Sequence, residues 1–201
     1  MLATHHCIVV PAAGSGTRFA GPGHKLEGRI GDDSVLGLTL RQALATGLRV
    51  VLVVSRRVHQ RLRDELPACE QVVVDTDARP AWGMGDSIAA GVAASKDAGG
   101  WLVLPADMPF VRSDSILRVA AALGEADTRV AWASHDGRRG HPVGFGAALR
   151  AQLLALTGDT GARAIVQGAA GMAIELDDAG VLVDIDTVAD LEAARRAAAR
   201  A

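Results

Sequence analysis

No apolar run in this 201-residue sequence approaches the roughly 20 residues needed to cross a bilayer, which argues against a transmembrane helix. The chain does not open on a basic segment followed by a long apolar one, so no signal peptide is expected and the cytoplasm is the expected location. Charge of one sign is not in excess: 21 Lys and Arg stand against 23 Asp and Glu, giving a formal net charge of −2. That balance lacks the basic surplus of a dedicated nucleic-acid binder. Cysteine is scarce. Cys7 and Cys69 form no CxxC pair, and no Cys/His group has zinc spacing, so reduced thiols are expected. There is no low-complexity segment, linker or internal repeat to divide residues 1–201, so one domain is expected, with neither nucleic acid nor membrane as a partner.

What remains is an ordinary globular composition, 49% hydrophobic and 22% charged, arranged in short β-branched runs that alternate with longer helical patterns. Strands are predicted at Ile8–Val10, Val50–Val54, Val72–Val74, Leu102–Leu104, Val130–Ala133, Met172–Leu176 and Val181–Ile185. Several are apolar throughout, as parallel strands covered on both faces are. Helical faces follow from the spacing of Leu36, Leu40 and Leu44, of Ile88 and Val92, of Ile116, Leu117, Ala120 and Ala121, and of Val188, Leu191 and Ala194. Ser113 or Asp114 is a candidate cap for the third of these helices, and Asp186 or Thr187 for the last. The arginine-rich run at 56–63 reads as a solvated helix face. Strand and helix in alternation predict an α/β, three-layer domain with a mostly parallel central sheet.

In such sheets ligands collect at the carboxyl ends of the strands. The first run is followed there by Gly14-Ser15-Gly16-Thr17-Arg18 and, after a second glycine-rich piece, Lys25. Glycines at 14 and 16 let the backbone approach a ligand, and successive N–H groups in such a turn form an anion nest. With two cations added, the loop suits a triphosphate, although a plain tight turn has the same composition. It is not a Walker A loop, because Pro22 stands where the lysine is required. It is not a dinucleotide fingerprint either, because Phe19 occupies the third glycine position, which argues against a dehydrogenase.

Acids follow two later runs. Asp107, in Leu104-Pro105-Ala106-Asp107-Met108-Pro109, follows a buried-looking strand, where a carboxylate needs a cation or a hydrogen bond. Magnesium is a natural partner, since it takes one or two carboxylates plus substrate phosphates, and a helix cap is the alternative. Asp184 and Asp186 fall on one side of an extended chain, so that one could reach a metal while the other caps the last helix. Before Pro142, His141 sits in extended backbone, where a packed, hydrogen-bonded ring is as reasonable as a functional one. Arg163 fits either a phosphate fork or a surface ion pair. Met84, Trp82 and Trp101 also read as packing residues.

Pro11-Ala12-Ala13-Gly14-Ser15-Gly16-Thr17-Arg18 with Lys25-Leu26 resembles the signature of sugar-phosphate-type nucleotidyltransferases. Phe19 replaces the usual methionine, and the spacing to lysine is about two residues longer than usual. The phrase around Asp107, the segments Gly83–Ser87, Gly140–Phe145 and Gly158–Arg163, and the ending Asp184–Asp190 occur in the order seen in molybdenum cofactor cytidylyltransferases. The resemblance implies a Rossmann-like nucleotidyltransferase domain that transfers CMP from CTP to a phosphorylated acceptor, most simply molybdopterin, with release of pyrophosphate. It places Arg18, Lys25 and Asp107 in catalysis, and the loop Ala12, Ala13, Gly14, Ser15, Gly16, Thr17 and Arg18 with Lys25, Met84, Gly85, Ser87 and Ala106 around the nucleotide. His141, Asp159 and Arg163 would face the acceptor, and Asp107, Asp184 and Asp186 would supply magnesium ligands. A molybdoenzyme receiving the finished cofactor is the implied macromolecular partner. A guanylyl branch, a methylerythritol-phosphate cytidylyltransferase and a non-catalytic cofactor chaperone are the rival readings. The second usually has an HDAARP-like phrase that is missing here.

Overall fold

The computed structural model describes residues 5–14, 16, 19–79, 81–124, 128–169 and 171–199. In chain order the strands are β1 (His6–Ala12), β2 (Arg29–Ile30), β3 (Asp33–Ser34), β4 (Arg49–Ser55), β5 (Glu70–Val74), β6 (Gly100–Val103), β7 (Val130–His135), β8 (Arg138–Gly146) and β9 (Gly171–Glu175). The α-helices are α1 (Val35–Ala45), α2 (Arg56–Leu62), α3 (Met84–Ala94), α4 (Ser113–Leu123), α5 (Arg150–Leu154), α6 (Arg163–Gly168) and α7 (Val188–Ala198). Seven strands form one sheet in the order β5-β4-β1-β6-β8-β7-β9, and β2 pairs with β3 in a small separate ribbon. Within the large sheet only β8 runs against the rest, pairing antiparallel with both β6 and β7.

The apolar runs of β1, β4 and β6 produce this sheet because they are buried on both faces, whereas the edge strands β5 and β9 are half-buried or exposed. Alternate residues feed two separate cores. Ile8, Val10, Leu52, Val54, Leu102 and Ala131 point to one, where they meet Leu36 and Leu40 of α1, Ile116 and Val119 of α4, and Leu191 of α7. Cys7, Val9, Val51, Val53, Trp101 and Val130 point to the other, against Ile88 and Val92 of α3, Leu153 of α5 and Val166 of α6. Each buried Val, Leu or Ile among them contributes roughly 1.5–3 kcal/mol, so the two cores supply most of the drive for the three layers. Both cysteines are free thiols.

Six of the expected strands overlap β1, β4, β5, β6, β7 and β9. The seventh does not exist. Ala179–Leu182 form a 3₁₀ turn, and the chain then runs on without a sheet partner to Thr187. Asp178 causes this: its buried carboxylate accepts from Gly180 N, Arg112 N and Ser115 Oγ, which curls the chain and pins Val181 in the core. The same carboxylate braces the start of α4, whose first amide, Ser113 N, donates to Gln42 Oε1. Neither Ser113 nor Asp114 caps that helix, whose N-cap is Arg112 with no side-chain bond. Leu117 is not on the buried face of α4 but is 40% exposed. Thr187 does cap α7, in a reciprocal pair with Asp190.

α3 lies so close over β1 that a β-carbon added at Gly91 would meet Val9 Cγ1 at 2.3 Å. Alanine has about 1 kcal/mol more helix propensity than glycine, but overpacking a rigid core costs about 1–3 kcal/mol. Gly91→Ala is therefore expected to lower the urea midpoint. An unchanged or higher midpoint would show that α3 does not seat on β1 in this way.

Candidate active site

Three distant segments meet beyond the carboxyl end of β6. Lys25 Nζ donates to Asp107 Oδ2 and to Asp186 Oδ1, each at 2.5 Å. All three side chains are mostly buried, between 15% and 17% exposed. Burial alone would depress the Lys25 pKa, but the Asp107 charge, reinforced by the hydrogen bonds to Asp107 and Asp186, outweighs it and leaves the pKa raised. Lys25 therefore remains an ammonium.

The backbone builds this triad. Leu104 N donates to Val9 O, which carries β6 alongside β1 up to its end, and Thr39 Oγ1 holds Ala106 O. Ile185 N donates to Asp107 O at 2.9 Å, which draws the unpaired C-terminal stretch against the strand end. Asp186 is turned inward there, with its own N–H bonded to Asp190. Asp184 is more exposed, and its carboxyl is pushed above the usual range, first by partial burial and then by the Asp186 charge. Two carboxylate oxygens converging on one cation position fit a hard divalent ion, which commonly takes one or two carboxylates and completes its shell with phosphates and water. Among the described residues no group of three or more His, Cys, Asp or Glu side chains is arranged to hold a metal.

His24 links this triad to the glycine loop, and nothing in its sequence surroundings announced it. Leu26 N donates to its Nδ1, so the ring proton lies on Nε2, which donates to Gly14 O at 3.0 Å. Burial pushes its pKa down, keeping the ring neutral. Gly16 has φ +63°, and a β-carbon there would lie 2.8 Å from His24 Nε2, so both the turn and the histidine require glycine.

A cavity of about 470 Å³ opens over the triad. Of the residues expected around the nucleotide, Ala12, Gly14, Gly16, Lys25, Met84, Ser87 and Ala106 line it together with Asp107 and Asp186. Asp159, expected on the acceptor side, lines it as well. Ala13 is buried beside it, and Gly85 is packed against Thr157 behind it. The Ser87 hydroxyl is engaged, donating to Gly83 O and accepting from Trp82 Nε1. Ser15, Thr17 and Arg18 lie outside the described residues.

A second cavity of about 450 Å³ adjoins the first and shares Met84 and Pro105 with it. Arg139, His141, Val143 and Phe145, alternate residues of β8, form one wall, and Arg163 and Val166 of α6 form another. The Arg139 guanidinium stacks 3.9 Å over the Trp132 ring. His141, joined to Pro142 by a cis peptide, has its pKa lowered by burial and is neutral. The wall between the cavities is fixed by Asp86. One of its carboxylate oxygens accepts from Gly83 N at 2.9 Å and from Gly158 N at 2.7 Å, and Gly85 N donates to Gly158 O. A β-carbon at Gly83 would strike Gly158 at 2.2 Å. The sequence reading passed over Asp86, although an acid three residues after an N-cap, here Gly83, is a capping signal.

The family model for the MobA-like NTP transferase domain matches residues 8–176. The purine catabolism protein PucB of Bacillus subtilis (strain 168) is 31% identical over 205 residues, spanning 92% of this chain and 94% of that protein. The crystal structure of the Mycobacterium sp. strain JC1 homolog of Mycobacterium tuberculosis rv0371c superposes with a TM-score of 0.85 at 23% identity, covering 99% of both chains. The Mycobacterium tuberculosis H37Rv protein Rv0371C in complex with manganese does so with a TM-score of 0.77 at 23% identity, over 96% of this chain and 99% of that one.

His24 yields a pH prediction. A histidine whose folded pKa is depressed binds fewer protons in the native than in the unfolded state, so stability is full above about pH 6.5 and declines as pH falls through and below it. His24→Gln should flatten the dependence of Tm on pH between about 7 and 5 by its share, with His6 and His141, also depressed, retaining theirs. An unaltered slope would show that His24 is not held neutral.

Proposed function

The chain belongs to the MobA-like NTP transferase family and is a nucleotidyltransferase, and from that premise we propose that it transfers CMP from CTP to a phosphorylated acceptor, molybdopterin in the first instance, using magnesium. The observation that carries this reading is the Lys25–Asp107–Asp186 triad facing the glycine-loop cavity. The ordered motifs from Ala12 to Asp190 support the choice of cytidine and of the acceptor.

In this reading the loop around Gly14 and Gly16 cradles the triphosphate, and His24 holds its curvature. Lys25 neutralises phosphate charge, and Asp107 and Asp186 would hold magnesium. When bound, that ion neutralises the charge developing on the transferred and departing phosphoryl groups. The acceptor enters from the cavity beside β8, where Arg139 and Arg163 offer positive charge. An acceptor phosphate oxygen attacks the α-phosphorus, the bond from that phosphorus to the bridging α,β-oxygen breaks, and pyrophosphate leaves with the electron pair. No protein nucleophile or proton transfer is needed, so the residues act by positioning and by charge.

Purified protein incubated with magnesium, molybdopterin and each NTP in turn should release pyrophosphate with CTP. Release with GTP alone would overturn the choice of base. Asp107→Asn should lower kcat/KM on the order of 10²–10³-fold while circular dichroism remains native. Activity retained in that variant would remove Asp107 from the mechanism.

A further inference from the structure

Resting on the metal assignment above, we propose that Lys25 is an internal counter-cation that occupies the metal's carboxylate pair and, at low metal concentration, gives it up only when a nucleoside triphosphate draws the ammonium away. Nζ sits 2.5 Å from Asp107 Oδ2 and 2.5 Å from Asp186 Oδ1, so the lysine already takes the oxygens a divalent ion would use. An ammonium and a divalent ion cannot share two oxygens at such distances without strong repulsion in a partly dehydrated site. One of the two must move, and lysine, on a flexible four-carbon stem, is the one that can.

The charges around the first cavity say what moves it. Among its described lining residues Asp107, Asp159 and Asp186 are acids, Lys25 is the one cation and His24 is neutral, so three negative charges less one positive leave −2. The field of these described residues repels a bare triphosphate more strongly than one whose charge a divalent ion has halved. Once inside, its phosphate oxygens give Lys25 a second anionic partner, and the metal inherits the carboxylates. Metal alone finds the pair already neutralised. The site therefore binds metal weakly without nucleotide and strongly with it. Both ligands enter as one unit, and the two acids never face each other uncompensated.

Manganese is the probe, since its free concentration can be read by electron paramagnetic resonance. Without nucleotide, Lys25→Met is expected to bind Mn2+ at least about tenfold more tightly than the wild type. Lys25→Arg, which keeps the charge, should bind it no more tightly than the wild type. Adding Asp107→Asn to Lys25→Met should abolish the gain. If Lys25→Met does not give a native circular dichroism spectrum, Lys25→Gln carries the same expectation. In the wild type itself, saturating Mn2+ should free the ammonium and raise Lys25 labelling by an amine reagent severalfold, followed by mass spectrometry. Equal Mn2+ affinity in Lys25→Met and wild type, an equal gain in Lys25→Arg, or unchanged labelling would each overturn the proposal. A gain that survives Asp107→Asn would overturn the metal assignment beneath it. Absence of pyrophosphate release with every NTP would instead sink the proposed reaction while the Mn2+ measurements stood.

Discussion

One ammonium group between two carboxylates sets the terms for the rest of the molecule. Lys25 is 82 residues from Asp107 and 161 from Asp186, so their meeting fixes the two ends of the chain and its middle at one point. Such a mostly buried arrangement is costly to break from one side, because removing the lysine takes the shared cation from two carboxylates. The sheet order answers this requirement. β1 lies beside β6, which places the loop carrying Lys25 next to the turn carrying Asp107. The Ile185 amide then hooks the last segment onto the Asp107 carbonyl, and the capped start of α7 anchors it from beyond.

Around that point the structure separates two chemical environments. The first cavity carries the charge, with Asp107, Asp159, Asp186 and Lys25 set beside Gly14 and Gly16. The second is mostly apolar, with Arg139 and Arg163 at its border. The partition between them is rigid because Asp86 ties the start of α3 to Gly158, and because Gly83 and Gly85 leave no gap in which the two segments could slide. In the proposed reaction, which uses no protein nucleophile, positioning is the main source of rate, and a fixed partition serves it.

The α/β layering was legible because β1, β4 and β6 are apolar on both faces, and only a parallel sheet between helices buries such runs. Lys25 and Asp107 were legible because they match an ordered motif series, but the sequence left Asp184 and Asp186 equivalent and did not show that the lysine rests on the acids. β8 was not. Its sequence, RRGHPVGFG, carries three glycines and a proline, which weaken any strand signal, yet neighbours on both sides and close backbone contacts hold it in the sheet. The opposite error arose at Val181–Ile185, where local β-branched character yielded to the long-range pull of Asp178. His24 was invisible for a related reason: its partners are backbone atoms, and a sequence does not display which carbonyl a ring will reach.

The reversed direction of β8 has a consequence for how such proteins diverge. Because it runs against its neighbours, it begins where they end, and its odd-numbered residues step away from the reacting centre along a single wall. Successive positions on that wall are nearly 7 Å apart. Exchanging one of them reshapes the room for an incoming molecule at a chosen depth and leaves the glycine turn and the acids untouched. On the proposed reaction, alternate letters of one short segment set the room for the incoming molecule, apart from the turn and acids assigned to the energy-rich donor.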